Sequence, residues 1–181
     1  VQDKLPLWVA TGGHVESTVK IAQAGLPIVY AIIGGNPHYF KKLIQAYREI
    51  GRDAGHADKD LKVGAHSWGW IAEDGEQAVK DYFHPTKQVV DAISKDRPHW
   101  QELTYKQYLE QVGPNGAMFV GNPDQVAEKL IRMIEDLDLN RFMLHLPLGS
   151  MPHDQVLRAI ELFGTQVAPK IRAYFAMKEE L

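Results

Sequence analysis

The sequence predicts a parallel α/β sheet. Short apolar runs alternate with stretches of helical periodicity along the chain, and the first two runs end in paired glycines that open directly into helices. A third sign is Asn122-Pro123-Asp124-Gln125, where an Asn cap, a Pro in the first turn and a Gln placed to close a capping box mark a helix start late in the chain.

Taken in order, the first strand is Leu7 to Thr11, which passes through Gly12-Gly13 into a helix opened by His14. The second, Ile28 to Ile33, ends in Gly34-Gly35 and feeds the next helix through Asn36-Pro37. Phe40, Leu43, Ile44 and Tyr47 share one face of that helix, and Gly51 is its expected left-handed cap. A third strand is expected over Lys62 to Ala72 and a fourth over Arg141 to Leu146. Between the Asn122 start and the last strand, Val126, Leu130, Ile134 and Leu137 keep helical spacing. A final helix from about His153 to Tyr174 is expected to bury Val156, Ile160, Phe163, Val167 and Ile171.

The segment 73–120 breaks this rhythm and reads as a helical insertion after the third strand. It has helices around Glu76 to Ser94 and His99 to Val112, separated by Asp96-Arg97-Pro98 and ended by Gly113-Pro114-Asn115-Gly116. At the C-terminal end of a barrel strand such an insertion is placed as a lid or substrate wall, or else as a packing elaboration.

Four parallel strands standing alone leave edges and one whole face unpacked. A (β/α)8 TIM barrel takes about 250 residues, so the arithmetic assigns this chain half of such a barrel, to be completed by further chain or by a second subunit.

Composition bounds the function. With 45% hydrophobic and 24% charged residues and a formal charge of −3, the chain is an ordinary globular one; it carries no basic stripe for nucleic acid and no membrane-length apolar run. No cysteine is present, so disulfides, a thiol nucleophile and cysteine-bound zinc are absent, which fits a reducing, cytoplasmic compartment. The chain begins at Val1, so a preceding segment is compatible with it. The histidines form no metal-binding spacing, and neither a nucleophile elbow nor a P-loop occurs.

The glycine turns carry chemistry. Gly12 and Gly13, then Gly34 and Gly35, let backbone approach an anion without a β-carbon in the way, and a first helical turn offers unpaired N–H groups and the positive end of its dipole. Two such neighbouring strand ends can face one ligand. The competing reading is a pair of tight strand–helix turns.

The residues resemble the bacterial-luciferase-like flavin-dependent monooxygenases. The resemblance runs through Pro6-Leu-Trp-Val-Ala-Thr-Gly-Gly-His-Val-Glu-Ser17, Leu26-Pro-Ile-Val-Tyr-Ala-Ile-Ile-Gly-Gly35, Ile71-Ala-Glu-Asp-Gly-Glu-Gln-Ala78, Phe119-Val-Gly-Asn-Pro-Asp-Gln-Val-Ala127 and Arg141-Phe-Met-Leu-His-Leu-Pro-Leu-Gly-Ser-Met-Pro-His153. Their order matches the C-terminal half of that barrel, strands five to eight. The resemblance implies reduced FMN as cofactor, oxygen as co-substrate, a small organic substrate and a flavin reductase as partner; a deazaflavin is compatible with the same residues. It also implies Gly12, Gly13, His14 and Ser17 at the flavin phosphate, with Gly34 and Gly35 adding backbone contacts.

His66, Trp68 and Trp70 share one face of the third strand by alternation. In this family that strand supplies a polar residue near the flavin, so His66 is the expected acid–base group, with His145 of similar standing and His153 at the pocket mouth. Met151 points to an apolar pocket, and the tryptophans otherwise read as core. Most of the ring-binding residues belong to the other half-barrel, so the chain alone is expected not to turn over. Two alternatives stand beside this reading: a catalytically silent flavin-binding or structural relative, and a phosphate-substrate barrel enzyme. The latter wants a catalytic Lys or Glu on a strand end, which none of the four strands supplies.

Overall fold

The computed structural model describes residues 5–97 and 100–179. Its centre is a wholly parallel sheet of five strands: β1 (Val9–Thr11), β2 (Ile28–Ala31), β3 (Val63–Ile71), β4 (Phe119–Gly121) and β5 (Arg141–His145). Strand β2 lies between β1 and β3, in the register Val9↔Ile28↔Val63. Strand β3 pairs β5 over Gly64↔Arg141 to Trp68↔His145 and pairs β4 further along, at Gly69↔Phe119 to Ile71↔Gly121. Sequence reading missed β4, because three residues are too few to show a period.

Helices α1 (Val15–Gln23) and α2 (Phe40–Asp53) cover one face of the sheet. Tyr30 of β2 is fully buried there, its hydroxyl 3.2 Å from Thr18 Oγ1 and its ring edge-on to Phe40 at 5.6 Å. Tyr47 of α2 donates to the Leu26 carbonyl at 2.8 Å, tying that helix to the loop before β2. Gly51 is not the cap of α2: it is buried inside the helix, where Leu61 Cδ2 would sit 2.4 Å from an added Cβ, and Gly55 at φ +90 takes the left-handed position instead.

Helix α3 (Gly75–Asp96) is capped by Asp74, which accepts from the N–H groups of Glu76 and Gln77. Helix α4 begins at Tyr105 and ends at Val112; Thr104 and Gln107 form its capping box, which places the start later than the expected His99. Pro98 and His99 themselves, like the polar lead-in at 1–4, lie outside the described residues. Asp91 joins the parts of the insertion, binding Lys87 at 2.7 Å and the Leu103 N–H at 2.8 Å, while Tyr108 donates to the Val79 carbonyl at 2.8 Å. Trp68 and Trp70 are buried beneath it, Trp68 6.4 Å from Trp100 and Trp70 stacked 5.9 Å from Tyr82.

Helix α5 (Pro123–Leu137) has the predicted capping box of Asn122 and Gln125, and Val126, Leu130 and Leu137 are buried as their spacing implies. Two reciprocal 2.8 Å bonds between Asn140 and Val63 then set β5 beside β3. The last helical stretch is two helices, α6 (His153–Leu162) and α7 (Ala168–Glu179), joined by a π-helical turn at Phe163–Val167. The wider turn shifts the phase: Ala159, Leu162 and Val167 are buried, whereas Ile160, expected in the core, is 52% exposed.

The other face of the sheet is open at its flanks. Along β5 exposure alternates, with Arg141, Met143 and His145 exposed and Phe142 and Leu144 half-buried, and Ala10 of β1 is exposed on the same side by register. Strand β1 pairs only β2 and β5 pairs only β3 among the described residues. Half a barrel presents this pattern: helices outside, an inner face left open at its flanks, and free edges on β1 and β5. No helix among the described residues is long and apolar enough to cross a membrane.

Candidate functional site

The C-terminal edge of the sheet carries the two glycine turns. After Thr11, Gly12 is exposed and has nothing within 4 Å of the position a Cβ would take. Gly13 takes φ +95, a left-handed conformation that favours glycine, and an added Cβ would come 2.9 Å from the Phe40 ring; its N–H points to Thr11 Oγ1 at 3.4 Å. His14 is the N-cap of α1 in extended conformation, and its side chain makes no cap bond. The first helical bond runs from Thr18 N–H to the His14 carbonyl at 3.0 Å, so the N–H groups of Val15, Glu16 and Ser17 have no partner within the helix. His14 and Glu16 are exposed, and Ser17 is half-buried in the same turn.

Because β1 and β2 are neighbours, the second turn lies beside the first. Gly34 and Gly35 are exposed with no atom within 4 Å of either Cβ position, and Gly35 adopts φ +76. Beyond them Asn36 caps the short turn at Pro37–Tyr39, accepting from the His38 N–H at 3.0 Å. The two turns therefore present a strip of bare backbone and free amides, the geometry that accepts an oxyanion.

Facing inward below this edge is a histidine pair. His66 on β3 and His145 on β5 have ring centres 5.6 Å apart, one diagonal step across the register. Burial, and then the neighbouring His145, hold the His66 pKa below its ordinary value, so the ring is neutral near pH 7 and offers one donor and one acceptor. His153 does not join them: it opens α6 after Pro152, exposed, beyond the loop 146–152. Met151 is half-buried, packed against the core.

Two contacts were not foreseen from the sequence. The Trp8 ring lies 4.6 Å from the Arg141 guanidinium carbon, reaching from the approach to β1 as far as β5 and passing over Gly64, whose added Cβ would meet Trp8 and Val29 at 3.3 Å. The glycine within an apolar strand was the available signal, since such a position marks a close approach. The second is Lys129 on α5, 9% exposed, whose Nζ donates to the carbonyls of Val112 at 3.0 Å and of Gly113 and Met118 at 2.6 Å. That ammonium caps the C-terminal end of α4 and fastens the end of the insertion to α5.

Among the described residues no three His, Asp or Glu side chains gather as metal ligands would. A cleft of about 700 Å³ opens under the opposite edge of the sheet, with Trp8, Lys62 and Arg141 in its wall, and Gly12, Gly13, Gly34 and Gly35 lie outside it.

Residues 1–139 match the family model of luciferase-like monooxygenases. No curated protein matches in sequence. Among solved structures the chain is similar to the monooxygenase RslO1 from Streptomyces bottropensis, at 19% identity and TM-score 0.72, over 90% of this chain and 47% of that one. It is similar to the coenzyme F420-dependent tetrahydromethanopterin reductase from Methanopyrus kandleri, at 16% identity and TM-score 0.62, over 92% and 51%. It is also similar to the oxygenating constituent of 3,6-diketocamphane monooxygenase from Pseudomonas putida, solved with FMN, at 18% identity and TM-score 0.59, over 91% and 48%. The chain thus spans about half the length of the solved structures it matches.

Proposed function

The chain belongs to the luciferase-like monooxygenase family, and from that premise we propose that it is the C-terminal half, strands five to eight, of a flavin-dependent oxygenase barrel. The observation that carries the reading is the bare strip at Gly12-Gly13 and Gly34-Gly35 beside the uncapped start of α1. A phosphate fits there: the amides of Val15, Glu16 and Ser17 donate to its oxygens, the Ser17 hydroxyl adds a further donor, and Gly12 leaves room for the approach. His14, at the cap, flanks the same oxygens. Gly34 and Gly35 add backbone on the neighbouring strand end.

Reduced FMN, once bound, supplies the electrons with which oxygen is activated and one oxygen atom is passed to a small organic substrate. The chain's own residues bind, orient and shield. Neutral His66 holds a proton on one ring nitrogen and accepts at the other, and His145 beside it gives that proton a neighbour to move to or from. Met151, in the loop after β5, and His153, at the start of α6, border the mouth of the pocket. Trp68 and Trp100, packed together where the insertion covers β3, help keep water from the inner face.

A second reading, a deazaflavin-dependent oxidoreductase that does not use oxygen, is favoured by the similarity to the coenzyme F420-dependent reductase. The two separate in one experiment on the barrel-completed protein, supplied with flavin reductase and either cofactor in reduced form. Substrate-dependent oxygen uptake with FMN supports the oxygenase. Turnover with the deazaflavin alone supports the second reading, and turnover with neither points to a silent flavin-binding relative.

A further inference from the structure

Beneath the first glycine turn two hydroxyls are buried where apolar groups would cost less. Tyr30 of β2 and Thr18 of α1 are 0% and 1% exposed, and the Tyr30 hydroxyl lies 3.2 Å from Thr18 Oγ1, its hydrogen-bond partner. A buried hydroxyl costs free energy unless it is bonded, and threonine is a poor residue for a helix interior. The direction of the bonds follows from their far end. Thr18 Oγ1 is 3.1 Å from the His14 carbonyl, which only accepts, so the threonine hydroxyl donates there and is left to accept from Tyr30. Burial pushes the Tyr30 pKa up to about 12, so the phenol keeps the proton it donates. The Phe40 ring, edge-on to Tyr30 at 5.6 Å and 2.9 Å from the position of an added Gly13 Cβ, bridges the phenol and the turn.

We infer that Tyr30 is a positioning residue of the phosphate turn, acting through Thr18 on the peptide unit that joins His14 to Val15. The inference rests on the phosphate reading above. That unit is planar and trans, so its C=O and its N–H point in opposite directions. The His14 carbonyl takes the Thr18 N–H at 3.0 Å and the Thr18 hydroxyl at 3.1 Å, both from within α1. Held from that end, the unit turns the Val15 N–H out of the helix, toward the oxyanion that the amides of Val15, Glu16 and Ser17 would share. Each bond in the series also polarises the next, which strengthens the Val15 N–H as a donor. Val15 itself is 67% exposed and gives its peptide little packing to hold it, so the anchor is the buried pair behind.

The test separates the hydroxyls from the packing around them. Wild type, Tyr30→Phe, Thr18→Val, Thr18→Ser and the double variant Tyr30→Phe/Thr18→Val are checked for folding by circular dichroism and titrated with FMN, binding being read from the 15N-labelled amides of Val15, Glu16 and Ser17. Tyr30→Phe keeps the ring against Phe40 and is expected to bind FMN about threefold to tenfold more weakly. Thr18→Val, which keeps the shape, is expected to lose as much, and the double variant no more than either single one. Thr18→Ser, which keeps the hydroxyl and drops a methyl group, is expected to bind as wild type does. In the ligand-free protein Tyr30→Phe is expected to shift the His14 carbonyl 13C resonance, and an unmoved resonance would overturn the inference. Tyr30→Phe binding FMN as tightly as wild type, with wild type bound at these amides, would overturn it too and leave the phosphate site standing. Binding by Thr18→Ser as weak as that by Thr18→Val would assign the effect to packing, with the same consequence. FMN that leaves the wild-type amides unmoved would overturn the phosphate reading and this inference with it.

Discussion

The imidazoles of His66 and His145 sit 5.6 Å apart on adjacent parallel strands, and their proximity adds to burial in shaping the pH response of His66. Burial is the larger cause of the lowered His66 pKa and His145 the smaller. A native pKa below the unfolded value means the native state binds fewer protons as pH falls through that range. The stability that neutral His66 contributes is therefore complete above its unfolded pKa and is lost as pH drops through the native one. In an NMR titration His66 should report a pKa below 6.5, and His145→Gln should move it upward. A His66 value unaffected by that substitution would remove the coupling.

The glycines divide into two kinds. At Gly69 an added Cβ would come 2.4 Å from the Phe119 backbone oxygen of the neighbouring strand, whereas at Gly12 it meets nothing within 4 Å. Gly69→Ala should lower stability by about 2–4 kcal/mol in urea denaturation. Gly12→Ala should leave stability within about 0.5 kcal/mol of wild type while weakening FMN binding, because the methyl group occupies the approach to the phosphate.

Lys129 secures the insertion through backbone carbonyls. Lys129→Met should cost about 2–4 kcal/mol, since the carbonyls it served remain buried without a donor. Burial pulls the ammonium pKa down to about 7. A native pKa below the unfolded one again means that stability is lost as pH falls, here from the unfolded value near 10.5 through about 7. The stability gap between wild type and Lys129→Met should therefore widen between pH 7 and pH 10 in thermal melts. A gap that narrows would show the carbonyls outweighing desolvation.

The capping box at the start of α5 gives a smaller, local prediction. Asn122→Ala should cost about 1 kcal/mol by removing the acceptor for the Gln125 N–H, with little change at the sheet. Hydrogen exchange confined to the first turn of α5 would confirm it.

Much of the fold was legible because it rests on local signals. The strand at β3 is a long apolar run, Asn122-Pro123 is a strong start, and the paired glycines mark strand ends wherever they occur. What escaped was set by distant partners. Gly51 reads as a cap until Leu61 is seen packed on it, and Ile160 reads as core until the π-helical turn at Phe163 shifts the face. The candidate site divides in the same way: the glycine turns are contiguous in sequence and their shape was legible, as was the place of His66 on its strand, while the neighbourhoods of Arg141 and Lys129 depend on tertiary contacts with residues far along the chain.

The most direct test of the central claim maps ligand binding by amide. In 15N-labelled protein, FMN should shift the amides of Gly12 to Thr18 and of Gly34-Gly35, riboflavin should leave them unmoved, and Ser17→Ala should weaken the FMN shifts by several-fold, about 1 kcal/mol. Equal shifts from FMN and riboflavin, or FMN shifts that avoid these turns, would contradict a phosphate site there.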